Sequence, residues 1–469
     1  MRRRRMPGLV PALLAALVAL ASAAGCTPAA PARWPTGIAG AQITILSGSD
    51  TSLSPGSARL SPADNGMYQQ LVDYWNAYEA PTYGFSVKLD VVPGGATAEH
   101  NEMLAAAQTG GKSYDIYNLD SQWVSEFADG GHIRSLQGRV NEADFLPGPL
   151  HSAMDGSGQL YAVPFTTDAG LLYYRSDLIS AAAVRRLRNF QAVIKLAASV
   201  MHHQGVTEGY VGQFASYEGL TVNALEAIWG HDREAFASNG TITDPTAVKQ
   251  GLEDLVSAFR RDKTGPQIPA AELYYQEQQA FGDFATGQAA IMRNWPIYYE
   301  KLAAGGPGTV SVKKDVGFAP LPFPSVLGGQ DLAIASGSTN PDQALDVIKF
   351  LTSASAERCL YAVGGFPATM KTAYTARSLP SGPVGNHRLC GSKTDASAEN
   401  GEFGKAILAS LSTAIARPST RYYTEFTTLL ESQVWKILSQ ASQGDPVEVA
   451  SVVSDLAADL RAAATGHAP

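Results

Sequence analysis

Cysteine and histidine are scarce, at three and eight in 469 residues, and they are too scattered to make up a four-ligand zinc set. No HExxH, GxSxG, GxxxxGK[ST] or EF-hand pattern occurs, which removes the chemistries those motifs carry. No internal repeat is visible and no low-complexity stretch follows residue 35, so a solenoid or propeller is excluded. Basic residues are also short, at 35 Lys and Arg against 43 Asp and Glu. Four of the arginines sit at Arg2–Arg5, so the remainder holds 31 bases against 43 acids, a net charge near −12. A surface that acidic repels phosphate backbones, and nucleic acid is excluded as a partner. What is present is apolar: 45% of residues are hydrophobic and only 17% charged. That is ample for real cores and rules out a disordered or fibrous chain. The length points to two or three domains, and small neutral or polar ligands suit the charge. No cofactor or metal is expected.

The N-terminus holds a basic run followed by an apolar stretch, Gly8–Ala24, broken by Pro11. At about 17 residues it falls short of the ~20 that span a bilayer, and small residues follow it as at a signal cleavage site. Ala23-Ala24-Gly25-Cys26 resembles a bacterial lipobox. The resemblance implies a signal peptide over 1–25 and a diacylglycerol-modified Cys26 at the head of a Pro/Ala-rich linker, 26–40. The mature chain is then held on the extracytoplasmic face of the cell membrane, since two acyl chains give a stable tether where one does not. With Cys26 lipidated, Cys359 and Cys390 remain, and an even pair in an exported chain reads as a disulfide.

Beyond the linker, strands and helices alternate. Ile43–Leu46 is a short strand, Asp64 to about Tyr78 a helix, and Phe85–Val91 alternates as a half-buried strand. Thr97–Gln108 is helical, Tyr114–Leu119 a strand, and Ser121 caps a helix to Asp129. The rhythm resumes with strands at Leu171–Tyr174, Tyr210–Phe214 and Ala289–Arg293, and helices at Leu187–Met201, Tyr217–Trp229, Pro245–Asp262 and Glu272–Thr286. After Leu332–Ile334 the chain reads as helical. The pattern is that of two α/β lobes, each a doubly wound mixed sheet, with a helical C-terminal section.

Polar and aromatic residues collect at element ends, where open α/β sheets bind their ligands. Asp120 follows the strand Tyr114–Leu119, and Asp168 precedes Leu171–Tyr174. Glu218 opens a helix after Tyr217, while Trp295 and Arg417 each precede a proline. Carboxylates accept paired hydrogen bonds, arginine donates a fork, and flat rings offer apolar faces. Together they suit a polyhydroxylated ring such as a sugar. Each also has a plainer reading. Asp120 and Asp168 serve as caps, Glu218 and Arg417 complement helix dipoles, and Trp295 fills core.

Five segments in order give a resemblance over about Ile43–Leu460: Tyr114–Asp120, Tyr161–Arg175, Phe284–Pro296, Asn340–Thr352 and Gly364–Ala368. In these the chain resembles the extracellular solute-binding proteins of ABC sugar importers. Tyr217–Asn223 and Ala416–Thr420 are most similar to the trehalose/maltose-binding lipoprotein branch. The resemblance implies a two-lobe periplasmic-binding-protein-like fold of type II, with lobe 1 over 41–165 and 296–333 and lobe 2 over 166–295 and 334–469. It implies a monomer that captures a di- or oligosaccharide between closing lobes and passes it intact to ABC permease subunits. The binding residues would be Asp50 in the turn with Ser49, Asp120, Asp168, Tyr217, Glu218, Trp295, Gly329, Gln330 and Arg417. Gln330 stands where that branch tends to carry Trp, and no Arg lies near Glu99 and His100. A cell-surface sensor of the same fold, or a glycosidase pairing Asp120 with Asp168, stays open at this level.

Overall fold

A computed structural model describes residues 40–48, 66–110, 112–203, 205–260, 267–304, 315–375, 389–390 and 401–467. Cys26 and Asp50 lie outside these residues, as do Ser49 and Asp64. Among the described residues ten strands form two sheets: β1 Gln42–Gly48, β2 Ser86–Val92, β3 Ile116–Asp120, β4 Ala162–Ala169, β5 Leu171–Arg175, β6 Glu208–Val211, β7 Ala289–Asn294, β8 Val316–Pro320, β9 Val326–Ile334 and β10 Ile415–Ala416. The first sheet runs β10-β9-β3-β1-β2, with β4 also on β9; the second runs β6-β7-β5-β8.

In the first sheet, β1 is parallel to β2 and β3, and β9 is antiparallel to both β3 and β4. Its centre is buried on both faces, so β3 reads as a continuous buried run, Ile116–Leu119, rather than as an alternation. Buried Asn118 donates its amide N–H to Ser47 Oγ at 3.0 Å, while its Oδ1 has no donor. β2 at the edge starts with Val87 buried and Lys88 exposed, but the alternation does not hold to its end, where Val91 is exposed and Val92 buried. In the second sheet, β5 is antiparallel to β7 and β8, and β6 is parallel to β7.

The chain passes between the sheets at Gly170, which separates β4 from β5, and again between β8 and β9. The Gly170 N–H donates to Ser325 Oγ at 2.6 Å, and its carbonyl accepts from Ser410 Oγ at 2.9 Å. Ser410 lies in the helix Glu402–Leu411, which packs on β4, β5 and β8. A Cβ at Gly170 would stand 2.6 Å from the Arg293 guanidinium, so only glycine allows this approach.

The expected lobe limits need correction. β8 pairs with β5, and Leu302 of the helix Ile297–Ala304 joins the core under β5 and β7. Residues 296–304 and 315–320 therefore belong to lobe 2, and the chain returns only when β8 has completed the second sheet. Residues 334–364 belong to lobe 1: the helix Pro341–Leu351 packs on β9, and Ala354–Gly364 on the helix Met67–Tyr74. Helices Tyr423–Gln443 and Val449–Ala463 do pack on lobe 2, against Glu218–Trp229 and Pro245–Phe259.

The Cys359–Cys390 bridge is formed, with its Cα atoms 5.1 Å apart and the two positions 31 apart in the sequence. It ties the helix Ala354–Gly364 to buried Leu389–Cys390. On the loop-closure argument, Cys390→Ser lowers the unfolding free energy by about 3–4 kcal/mol, to be read in urea denaturation. A second expectation concerns pH. In lobe 2, burial and the neighbouring Asp283 carboxyl push Glu208 up from its ordinary 4.5 to about 7. The folded chain thus holds a proton that the unfolded chain gives up. This contribution to stability is complete below pH about 4.5 and is lost as pH rises through about 7. Glu208→Gln should flatten that decline in thermal melts taken between pH 5 and about 8.

Candidate ligand-binding cleft

Between the two sheets lies a cleft of about 330 Å³, within the range of small-molecule sites. Apart from Asp50, every residue singled out as binding lines it: Asp120, Asp168, Tyr217, Glu218, Trp295, Gly329, Gln330 and Arg417. They come from β3, β4 and β9 of the first sheet, from the exit of β7 and the start of the helix Glu218–Trp229 in lobe 2, and from the strap after β10, which pairs with β9.

Asp120 ends β3 opposite Gln330 of β9. Its side chain does not cap the turn Ser121–Trp123; it accepts from Gln122 Nε2 at 2.8 Å. Burial raises its pKa, Arg417 and the Gln122 bond work against that, and Glu218 and Glu277 add to it. Asp168 precedes β5 as expected, and it also lies inside β4, opposite Gly328. The reason is that β4 runs on through Ala169 to the crossover at Gly170. Pro164, with no N–H to give, interrupts the β4/β9 ladder, and the register slips between Pro164 and Thr166. The slip presses Thr166 onto Gly329, where a Cβ would meet the Thr166 carbonyl at 2.3 Å. Gly329 also holds a φ of 127°, so its identity is set by the backbone and it offers the cleft main chain alone. Gln330 reaches the cleft with a side chain, and its Oε1 accepts from Thr166 Oγ1 at 3.1 Å.

Glu218 is committed to its neighbours. Its Oε1 accepts from Arg417 Nη1 at 2.8 Å and from the Tyr423 hydroxyl, and its Oε2 accepts from Thr427 Oγ1 at 2.8 Å. The carboxylate therefore orients Arg417 rather than presenting itself. Arg417 is not at a helix end: it follows β10, four residues beyond the helix-terminal Thr413 turn. Burial pulls its guanidinium pKa down, but Tyr423, Glu218 and Asp120 more than reverse this and keep it charged. Tyr217 precedes the helix Glu218–Trp229; burial, and then the Glu277 carboxylate, push its hydroxyl well above the ordinary value.

Trp295 follows β7 and is half-buried. One face of the indole lies on the Arg293 guanidinium, 4.0 Å from the ring centroid. Its edge approaches Gly328, where a Cβ would lie 3.5 Å away. Arg293 is itself fully buried and forks onto Glu226, through Nε at 2.9 Å and Nη2 at 2.6 Å. Glu226 Oε1 also accepts from Ser325 Oγ at 2.9 Å and from the Val326 N–H at 3.0 Å. One ion pair thus fixes the ring, the helix Glu218–Trp229 and the second crossover.

Several lining residues had no signal in the sequence. Gln276, Glu277 and Gln278 start the helix Glu277–Ala285, whose capping box joins Gln276 and Gln279. Lys301 stands 4.1 Å from the Tyr298 ring centroid, and both line the cleft with Phe366 and Gly94–Ala96. The capping pattern could have marked the Gln276 turn as a helix start, but not as a wall of the cleft. Glu99 and His100 stand elsewhere: His100 Nε2 lies 3.0 Å from Glu126 Oε2, and Thr424 of lobe 2 donates to that carboxylate at 3.1 Å. Ser125 Oγ and Ser419 Oγ meet at 2.5 Å. The lobes therefore touch beside the cleft as well as through its lining. Among the described residues no cluster suits a metal ion, and no helix is long and apolar enough to cross a membrane.

Residues 63–358 match the family described as bacterial extracellular solute-binding protein. A Deinococcus radiodurans protein described as "Probable ABC transporter-binding protein" is 29% identical over 388 residues, 77% of this chain and 84% of its own. Among solved structures, maltose-bound MalE3 of T. maritima superposes with a TM-score of 0.72 at 24% identity, covering 90% of this chain and 99% of that one. The GacH receptor of Streptomyces glaucescens, solved unliganded and with acarbose, gives 0.69 at 22% identity, covering 90% and 98%. At these identities the structures establish a shared fold.

Breaking the ion pair strands Arg293 in the interior. Glu226→Ala should cost about 3–5 kcal/mol of stability in denaturant titration. A variant as stable as the parent would show that the pair does not organise the crossovers.

Proposed function

The chain belongs to the bacterial extracellular solute-binding proteins, and from that premise we propose that it captures a di- or oligosaccharide between its lobes and hands it unchanged to the permease of an ABC importer. The observation that carries this reading is the composition of the cleft. Carboxylates at Asp120, Asp168 and Glu277 accept hydroxyl hydrogens, and Arg417, Lys301 and the glutamines donate to ring oxygens. Trp295 offers a face to sugar C–H groups. Similar structures bound to maltose and to acarbose support the ligand class, and the Deinococcus relative supports the ABC transporter.

In this reading the ligand acts by differential affinity. A sugar that touches both lobes binds the closed arrangement better than the open one and shifts the population toward it. Closure removes water from the carboxylates, so an analogue lacking one hydroxyl leaves a buried acceptor without a donor. Gln330 contributes an amide, not a ring, to that selection. Each site residue acts here by binding or by positioning, with no bond made or broken. The closed lobes then form the surface that permease subunits read. The protein works as a monomer, tethered to the outer face of the cell membrane by two acyl chains on Cys26.

Calorimetry of maltose and trehalose binding, with chromatography of the recovered sugar, tests the reading. Saturable binding with intact recovery is expected, and hydrolysis to glucose would replace the transport reading with an enzymatic one. Asp168→Ala should weaken the bound sugar about 30-fold, roughly 2 kcal/mol. Unchanged affinity would take Asp168 out of the site.

A further inference from the structure

A second cavity, of about 170 Å³, lies behind the cleft and shares Arg417 with it. Its walls come from both lobes: the turn Ser121–Trp123 and the helix Pro147–Ser152 on one side, and residues 229–238 on the other, closed by the strap 415–419. The chemistry of its lining runs against that of the whole chain. Acids outnumber bases in the sequence, 43 to 35, yet among the described residues no aspartate or glutamate lines this cavity. It carries instead two arginines, Arg233 and Arg417, the imidazole of His151 and four serine hydroxyls.

Two of its side chains are almost wholly buried and incompletely partnered. Arg417, 7% exposed, uses Nη1 for Glu218, while its Nε–H has no acceptor. Gln122, 6% exposed, gives its amide N–H to Asp120 Oδ2 at 2.8 Å, which fixes the orientation of the amide and leaves Oε1 without a donor. A buried donor and a buried acceptor in this state cost free energy until something meets them. Arg233 stands at the mouth, exposed, with Nη2 on the Thr413 carbonyl at 3.1 Å.

We infer that this rear cavity is a binding site for a small hydroxyl-bearing oxyanion of the hydrogen phosphate type. Such an ion presents several acceptor oxygens to the Arg417 Nε–H, the Arg233 guanidinium and the serines. Its own P–O–H is the donor that Gln122 Oε1 lacks. Arginine suits the role because its planar fork matches an oxyanion. The site is separate from the sugar cleft and does not depend on the sugar reading. It does meet the cleft at two places, Arg417 and the Asp120–Gln122 bond.

The test uses the purified protein with no carbohydrate present. Inorganic phosphate is titrated by calorimetry and by thermal melting at pH 7, with chloride replacing it to hold ionic strength constant. Saturable binding by calorimetry is expected, with a Tm that rises with the logarithm of phosphate concentration above Kd. Arg233→Gln, an exposed substitution that leaves the core untouched, should raise the phosphate Kd about tenfold or more. Sulfate, of similar shape but without a hydroxyl at this pH, should bind more weakly. No saturable phosphate binding, or an Arg233→Gln variant that binds as the parent does, overturns the inference. Equal affinity for sulfate overturns the part assigned to Gln122.

Discussion

Glu226 and Arg293 are both almost wholly buried, at 3% and 1% side-chain exposure. Burying two charges is costly unless each is fully partnered, and here nearly every polar atom of the pair has a use. The glutamate takes two guanidinium N–H groups, the Ser325 hydroxyl and the Val326 amide. The guanidinium adds Gln213 through Nη1 and lies flat under Trp295. Glycine at 170 lets the first crossover pass directly over it. The passage between the sheets, the helix that presents Tyr217 and Glu218, and the aromatic wall of the cleft therefore take their positions from one charged contact. A hydrophobic pair of the same volume could fill the space, but it would give no direction to the four elements that meet there.

The same logic separates residues that hold the cleft from residues that face into it. Glu218 and Arg417 form a closed unit with Tyr423 and Thr427, and its product is an arginine held in place and kept charged. Asp120 is half-buried at the end of a central strand, where Arg417 offsets part of the cost of its charge. Acid and base chemistry at such a site would need a group free to exchange protons with a reacting atom. These groups are tied into mutual hydrogen bonds, and the arrangement favours recognition.

Much of the fold could be read from periodicity. β1, β3 and β7 and the helices Glu218–Trp229 and Pro245–Phe259 carry strong apolar patterns, the helix Ala96–Gln108 is instead marked by the glycines that follow it, and all fall within a few residues of expectation. β8 was not legible, because Val316–Pro320 is half-buried throughout and shows no alternation. Its omission is what moved the lobe limits. The cleft residues at strand ends were accessible because topology alone places ligands there. Glu277, Lys301 and Gly94 were not, since nothing local tells a helix start that faces a cleft from one that faces water. The occupation of Glu218 was hidden for another reason: Tyr423 and Thr427 lie some two hundred positions away in the chain.

Gly329 has a consequence for how this protein can change its guest over generations. Main-chain geometry forbids any side chain there, whereas a Cβ at the neighbouring Gly328 would make ordinary contact with Asp168 at 3.4 Å and with the indole at 3.5 Å. Along that stretch of β9, then, Gln330 and, for a small side chain, Gly328 are the positions where variation can reach the guest without rebuilding the sheet. A lineage shifting its diet would have to explore chemistry there, or on the lobe 2 wall around Gln276 and Lys301. Gly329 would stay the same while the menu changed.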